Sequence, residues 1–297
     1  MTTSTLVPPR FDPPSLRALP SGGALHVEGE RGAAGMLFLH GVAGGAWSWR
    51  PQRVVFARTN RLFTWEGRGH GAAARVADAG LADYYVDARE ALDAAVAQTG
   101  GPVVIVGHSM GGLLAMTLAC ESPSRVSGIF LIDPVFATEG QGHVPRSWAA
   151  VARFACAPMF RSIARDGAVS RAVARWMFAR SFENRARMEA SWPDQRGQIP
   201  LEYPRMLREA FDGPTGFPVR DVARELVTPA YVLESSRSGG HGRFPGMLDA
   251  LRRRLGTRFH FETISGGHYL QLDRPHDVNA RLRAFVDAHS RRKPEEA

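Results

Sequence analysis

The stretch Pro102–Gly112, PVVIVGHSMGG, constrains the chain more than any other. Val103–Val106 are apolar with no polar alternation, the pattern of a strand buried on both faces of a parallel sheet. Gly112–Ser122, GLLAMTLACES, is rich in Leu, Ala and Met and reads as a helix. Ser109 falls in the turn between them, and Gly107 and Gly111 leave room for a tight backbone that a β-carbon would obstruct. A Gly-x-Ser-x-Gly pattern alone recurs by chance in many unrelated proteins. Its placement between a buried strand and a helix is what gives it meaning, because it holds a serine oxygen up at the end of a sheet.

The rest of the chain fits the same layered plan. Ala24–Glu30 alternates like an early edge strand, following a Pro-rich leader, and Gly35–Gly41 reads as a more buried strand. Arg61–Gly71 reads as a third strand ending in a glycine-rich loop, and the segment from Leu81 to Gly100 has helical apolar spacing with a terminal glycine. Val126–Val135 is another buried strand. Strands alternating with helices predict an α/β fold with a mostly parallel sheet covered on both faces. From about Phe136 to Asp221 this alternation lapses into Arg- and Ala-rich sequence with aromatics, read as helices broken by Pro158, Pro193, Pro200 and Pro204. Strands resume at Thr228–Glu234 and Arg258–Ile264, and an amphipathic helix with Val278, Leu282, Phe285 and Val286 on one side closes the chain. The expected organisation is a core in two parts, 1–135 and 222–297, with a helical cap inserted at 136–221.

The strand, turn and helix around Ser109 resemble the nucleophile elbow of the α/β-hydrolase fold. ISGGHYLQLDRPHDV resembles that family's histidine loop, and places His268 after the last expected strand and before the closing helix. A serine hydroxyl is a poor nucleophile at neutral pH until a base takes its proton, and histidine has the pKa for that work. LFLHGVAGGAW resembles the family's His-Gly motif, in which the histidine, here His40, is structural. By that resemblance the backbone N–H groups of Val42 and Met110 form the oxyanion hole. Such donors commonly contribute about 3 kcal/mol each to the transition state. Glu66–Gly71, EGRGHG, resembles the family's Asp-x-Arg-Gly-His-Gly loop, with glutamate replacing aspartate, and is read as structural.

The third member of the triad departs from the family pattern. Relatives usually carry a Gly-x-x-Asp just beyond the strand PAYVLE, where this chain has Ser235 and Ser238. Asp133, at the end of the strand after the elbow strand, is the first replacement, since some relatives draw their acid from that place. Glu234 is the alternative acid, and a Ser-His dyad or another acid from the cap remains open.

The chain has 297 residues, 44% of them hydrophobic, enough for one large domain with an insertion. The net charge of +8 comes almost wholly from arginines scattered among acids, Lys293 being the only lysine, and no nucleic-acid motif accompanies them. Neither a nucleic-acid partner nor a membrane span is expected, and the N-terminal residues lack a secretory pattern, so the expected place is the cytoplasm. Cys120 and Cys156 read as buried thiols rather than a disulfide framework. No metal-ligand spacing and no dinucleotide fingerprint occurs, and the expected reaction needs no cofactor.

Trp47, Trp148 and Trp176 are candidate walls of an apolar substrate pocket, and Arg153, Arg161 and Arg175 are cap arginines able to meet an anion. The leading expectation is a serine hydrolase acting on an ester, lactone or thioester of a small molecule, carrier-bound and coenzyme A thioesters included, or an acyltransferase where an alcohol or amine outcompetes water. A lyase or carbon-carbon bond hydrolase of the same fold, and a binding protein without turnover, are the alternatives.

Overall fold

The computed structural model describes residues 11–73, 79–135, 175–176, 178–195, 216–237 and 245–290. The strands are β1 (Phe11–Ala18), β2 (Ala24–Glu30), β3 (Gly35–Leu39), β4 (Arg61–Glu66), β5 (Val103–His108), β6 (Val126–Ile132), β7 (Ala230–Ser235) and β8 (Phe259–Ile264). They form one sheet in the order β1-β2-β4-β3-β5-β6-β7-β8. β2 runs antiparallel to both neighbours, and every pairing from β4 to β8 is parallel. The helices are α1 (Arg50–Phe56), α2 (Leu81–Thr99), α3 (Met110–Glu121), α4 (Arg185–Gln195), α5 (Val222–Glu225), α6 (Pro245–Leu255), α7 (Leu270–Asp273) and α8 (Pro275–His289).

The unbroken apolar strands have the expected consequence, because alternate side chains feed two cores. Leu37, Leu39, Val103, Ile105, Ile129 and Leu131 pack on the side of α2 and α3. Their neighbours Met36, Phe38, Val104, Val106, Phe130 and Ile132 pack against Phe56 of α1 and the apolar stripe of α8. All four stripe residues, Val278, Leu282, Phe285 and Val286, are buried. Phe285 meets Phe130 edge-on at 5.8 Å, and burying a ring of this size contributes about 1.5–3 kcal/mol.

Strand order reverses beside β3, since β4 lies on one side of it and β5 on the other. Such a reversal opens a crevice outside the carboxyl ends of the strands. The registers bring those ends level: Leu39 lies opposite Gly107, His108 opposite Ile132, and Ile132 opposite Leu233. The loops after β3, β5 and β6 therefore leave the same rim.

Four expectations need correction. Phe11–Ala18, read as leader, is the edge strand β1, which displaces β2 from the edge. Its two prolines cannot donate to a ladder, and the register with β2 slips between Asp12 and Ser15, a combination an edge position accommodates. Pro193 lies inside the last turn of α4 rather than ending that helix; near a C-terminus the missing N–H removes only one helical bond. Cys120 is partly buried, not fully, and burial pushes its thiol up to about 12, which keeps it protonated and unreactive. Thr228 and Pro229 precede β7 instead of belonging to it: proline has no N–H to give a ladder, although its carbonyl accepts the Ile129 N–H at 2.9 Å.

Of the segment 136–221, the described part contains residues 175–176, 178–195 with helical turns at 178–180 and α4, and 216–221. The remainder, with Trp148, Arg153, Cys156, Arg161, Pro158, Pro200 and Pro204, lies outside the described residues. Ser238 does also.

Candidate active site

Among the described residues, three non-glycine residues have positive φ: Ala43 at 56°, Ser109 at 52° and Asp133 at 45°. They stand in the loops after β3, β5 and β6, all on one rim. Such backbone strain costs on the order of 1–3 kcal/mol per residue and persists only where neighbours enforce it. At Ser109 the enforcement is visible. Its N–H donates to the Ile132 carbonyl at 3.1 Å, and its carbonyl accepts from Val135 at 3.2 Å and from Gly112 at 2.9 Å. The elbow is thus stitched to the segment following β6. A β-carbon at Gly111 would collide with the Leu39 carbonyl, and one at Gly107 with the Gly111 carbonyl, which is why both flanking positions are glycine.

The loop after β3 lies against the elbow, since a β-carbon at Gly41 would stand 2.9 Å from the Ser109 Cβ. Val42 follows Gly41, and Met110 opens α3, where a first-turn N–H has no intrahelical acceptor. Three buried side chains hold this loop. His40 donates from Nδ1 to the Gly41 carbonyl at 2.8 Å and accepts the Gly67 N–H on Nε2 at 3.2 Å. His70 donates from Nδ1 to the Arg68 carbonyl and accepts the Ala43 N–H on Nε2, both at 3.2 Å. Glu66 accepts the N–H groups of Ala46 at 2.9 Å and Ala72 at 2.8 Å, together with His26 Nε2 at 2.8 Å. The glutamate that departs from the family's aspartate therefore clamps two loops and a neighbouring strand.

These bonds fix protonation states. Burial and the nearby His40 hold His70 down at about 3, and burial lowers His40 as well. Burial alone would raise the Glu66 carboxyl, but the bonds from His26, Ala46 and Ala72 outweigh it and bring the group to about 2. An unfolded chain takes up a proton at His70 near 6.5, whereas the folded chain resists until about 3, so acidification through that window favours unfolding. The Glu66 contribution is complete above about 4.5 and is lost as pH falls toward 2. Thermal melts at pH 7, 5.5 and 4.5 are expected to show a falling Tm, and His70→Gln is expected to flatten that fall. A Tm independent of pH across this range would contradict neutral burial of these rings.

The histidine loop reaches the same rim. His268 Nδ1 hydrogen-bonds Asp133 Oδ2, and because a carboxylate only accepts, Nδ1 carries the proton and Nε2 keeps a lone pair. Asp133 Oδ1 accepts the Ser235 N–H at 3.1 Å, and the Asp133 N–H donates to the Leu233 carbonyl at 2.8 Å. Asp133 is 1% exposed, while the His268 side chain is 30% exposed. The acid is sealed in and the imidazole is reachable. Glu234 pairs with Thr263 across β7 and β8, and alternation along β7 puts it on the side of Val232 rather than Leu233.

Beside His268 lies an aromatic cluster of Trp47, Phe178, Phe182, Trp192 and Tyr269 with Met188 and Leu272. Tyr269 stacks on Phe182 at 5.4 Å and approaches Trp47 at 5.9 Å. Asp273, buried in α7, ties residues 183–184 to the histidine loop: its carboxylate accepts the N–H groups of Glu183 at 2.8 Å, Asn184 at 2.9 Å and Gly267 at 2.7 Å. Trp47 is a buried member of this cluster. Trp176 does not join the cluster; it is 49% exposed with the Arg180 guanidinium 4.9 Å from its ring. Arg175 pairs with Glu189 at 2.7 Å on the surface.

Sequence reading passed over His108, Tyr269 and Asp273, all three within motifs it had singled out. Among the described residues no three His, Cys, Asp or Glu side chains converge as a metal site, and no helix is long and apolar enough to cross a membrane.

Known proteins share this plan. Lipase LipV of Mycobacterium tuberculosis is 27% identical over 279 residues, covering 88% of this chain and 97% of that protein. The 2-succinyl-6-hydroxy-2,4-cyclohexadiene-1-carboxylate synthase of Salmonella paratyphi B is 32% identical over 106 residues, which span 36% of this chain and 40% of the synthase. The solved enol-lactonase of Burkholderia xenovorans LB400 matches with a TM-score of 0.68 at 18% identity, over 92% of this chain and 100% of that one, a likeness of fold. The model of the alpha/beta hydrolase family matches residues 36–281. With an eight-stranded, mostly parallel sheet, helices on both faces and a family match over most of its length, the chain belongs to the alpha/beta hydrolases.

Proposed function

We propose that the protein is a serine hydrolase that cleaves an ester, lactone or thioester of a small, largely apolar substrate through an acyl-enzyme on Ser109. The observation that carries this reading is the pairing of His268 Nδ1 with the buried Asp133 on the rim that also holds the strained Ser109. In the proposed reaction His268 Nε2 takes the Ser109 proton as Oγ attacks the substrate carbonyl. The N–H groups of Val42 and Met110 receive the oxyanion. His268 then gives its proton to the departing alcohol or thiol; in a lactone that group stays attached. A water, deprotonated by the same nitrogen, releases the acid and restores Ser109. Asp133 keeps the imidazole in the required tautomer and offsets its charge during both transfers.

Residues 136–221 are read as a cap over this rim, and the cluster around Trp47 and Tyr269 supports an apolar acyl or ring-bearing substrate. The direct test is a rapid-quench reaction with p-nitrophenyl acetate and with an aryl ester. The expected result is a burst of phenol with a matching acyl mass on the Ser109 peptide. Turnover of neither these esters nor simple lactones, and no acyl mass, would defeat the proposal. It would favour the lyase or carbon-carbon bond hydrolase reading of the same fold.

A further inference from the structure

His108 immediately precedes Ser109, is 1% exposed, and has no part in the proton transfers above. Its Nε2 lies 2.9 Å from the main-chain carbonyl of His268. A carbonyl only accepts, so Nε2 carries the hydrogen. The His108 ring also lies 4.6 Å from the His268 ring and 4.8 Å from the Tyr269 ring, which fills the space beneath the histidine loop. We propose that His108 is a positioning residue for the base: its Nε2–H bond seats the histidine loop on the residue next to the nucleophile, so that elbow and base keep a fixed separation. The role rests on the serine-hydrolase reading for its effect on turnover.

The geometry favours this over simple core packing. β5 and the histidine loop are far apart in sequence, and the bond joins the chain neighbour of Ser109 to the backbone of His268 itself. Here Ser235 Oγ donates to the Gly266 carbonyl at 2.6 Å, Asp273 accepts the Gly267 N–H at 2.7 Å, and His108 binds the His268 carbonyl, so three consecutive residues of the loop are each held from a different element. His108 is the tether that comes from the nucleophile's own strand. Among the described residues its buried Nδ1 has no hydrogen-bond partner. A second proton there would be an unmatched cationic N–H beside the ring that must itself become positive during catalysis. Burial and the neighbouring His268 accordingly push His108 well below the usual histidine range. A neutral donor that cannot be recruited as a rival base is what this position requires.

The test compares full-length His108→Gln, His108→Asn and His108→Leu with the parent protein. The Gln amide nitrogen reaches about as far as Nε2 and can restore the bond. Asn is equally polar but too short, and Leu fills space without donating. Two readouts apply: kcat and KM on p-nitrophenyl acetate, and the low-field proton NMR resonance of His268 Nδ1–H, assigned by its loss in His268→Ala. A small displacement of a catalytic group can cost on the order of 10²-fold in rate. The expected result is a fall of that order in kcat for Leu and Asn, KM within about threefold, and a resonance broadened by exchange. Gln is expected to recover the resonance and at least about tenfold of the lost kcat. Folded Asn or Leu variants with kcat within about twofold of the parent and a sharp resonance would overturn the proposal, as would a Gln variant as impaired as Asn. If the parent turns over no ester, the hydrolase reading fails, and the resonance alone still decides the role of His108.

Discussion

Replacing Ser109 by alanine is expected to abolish labelling by a fluorophosphonate and to lower ester turnover by on the order of 10⁴- to 10⁶-fold. The size of the effect follows from how the site divides its work. Binding and oxyanion donors alone leave about 10³- to 10⁴-fold acceleration over water when a nucleophile is removed, and everything above that residue depends on covalent attack. The fold should survive the change. Ser109 contributes main-chain bonds to Ile132, Val135 and Gly112 that alanine keeps, and at φ 52° both residues carry comparable strain. Intact-mass spectra before and after labelling, with Tm as the control for folding, make the measurement. Ser109→Ala protein that still gains the probe mass would place the reactive group elsewhere and remove the foundation of the proposed reaction.

The reach of sequence reading differed by element for physical reasons. β3, β5 and β6 are legible because each is apolar on both faces, and only a strand inside a layered α/β fold needs that. β1 is not. Its Pro13 and Pro14 are strong turn signals, and whether they sit harmlessly at an edge depends on a partner strand that local pattern does not reveal. α6 was missed because the charged run of Arg252, Arg253 and Arg254 masks an apolar face carried by Leu248, Leu251 and Leu255.

At the site, residues fixed by motif spacing were legible: Ser109 from its glycines, and His268 from its place between strand and helix. Asp133 could be named only as one candidate among several, since its partnership depends on β6 and β7 ending level with the histidine loop. His108 and Asp273 escaped because each bonds to distant main chain, which leaves no periodic or compositional trace. Glu66 shows the converse. The departure from the family's aspartate falls in a loop read as structural, and only the folded chain reveals how: its carboxylate gathers three donors from separate elements.

Asp133→Asn is expected to lower kcat by about 10³- to 10⁴-fold while leaving the protein folded. The argument turns on the two acceptor oxygens of the carboxylate. Oδ1 receives the Ser235 N–H and Oδ2 receives His268 Nδ1–H, so the site is built for a group that accepts on both sides. An asparagine has one acceptor and one donor. If its oxygen faces Ser235, its NH₂ confronts His268, which must then present a bare Nδ1 and carry its proton on Nε2, the tautomer that cannot take a proton from Ser109. If the amide turns round, the imidazole keeps its tautomer, but NH₂ is pressed against the Ser235 N–H in a side chain 1% exposed, where two donors without an acceptor are costly. Either orientation also removes the negative charge that stabilises the imidazolium. Glu234→Gln is expected to stay within about threefold of the parent, because Glu234 lies on the Val232 side of β7 and Asp133 already holds Nδ1. Steady-state kinetics of the two variants, with Tm measured alongside, separates the assignments. Near-normal turnover in Asp133→Asn with a large loss in Glu234→Gln would transfer the acid to Glu234, and the Asp133–His268 bond would then hold the loop in place without serving the proton transfer.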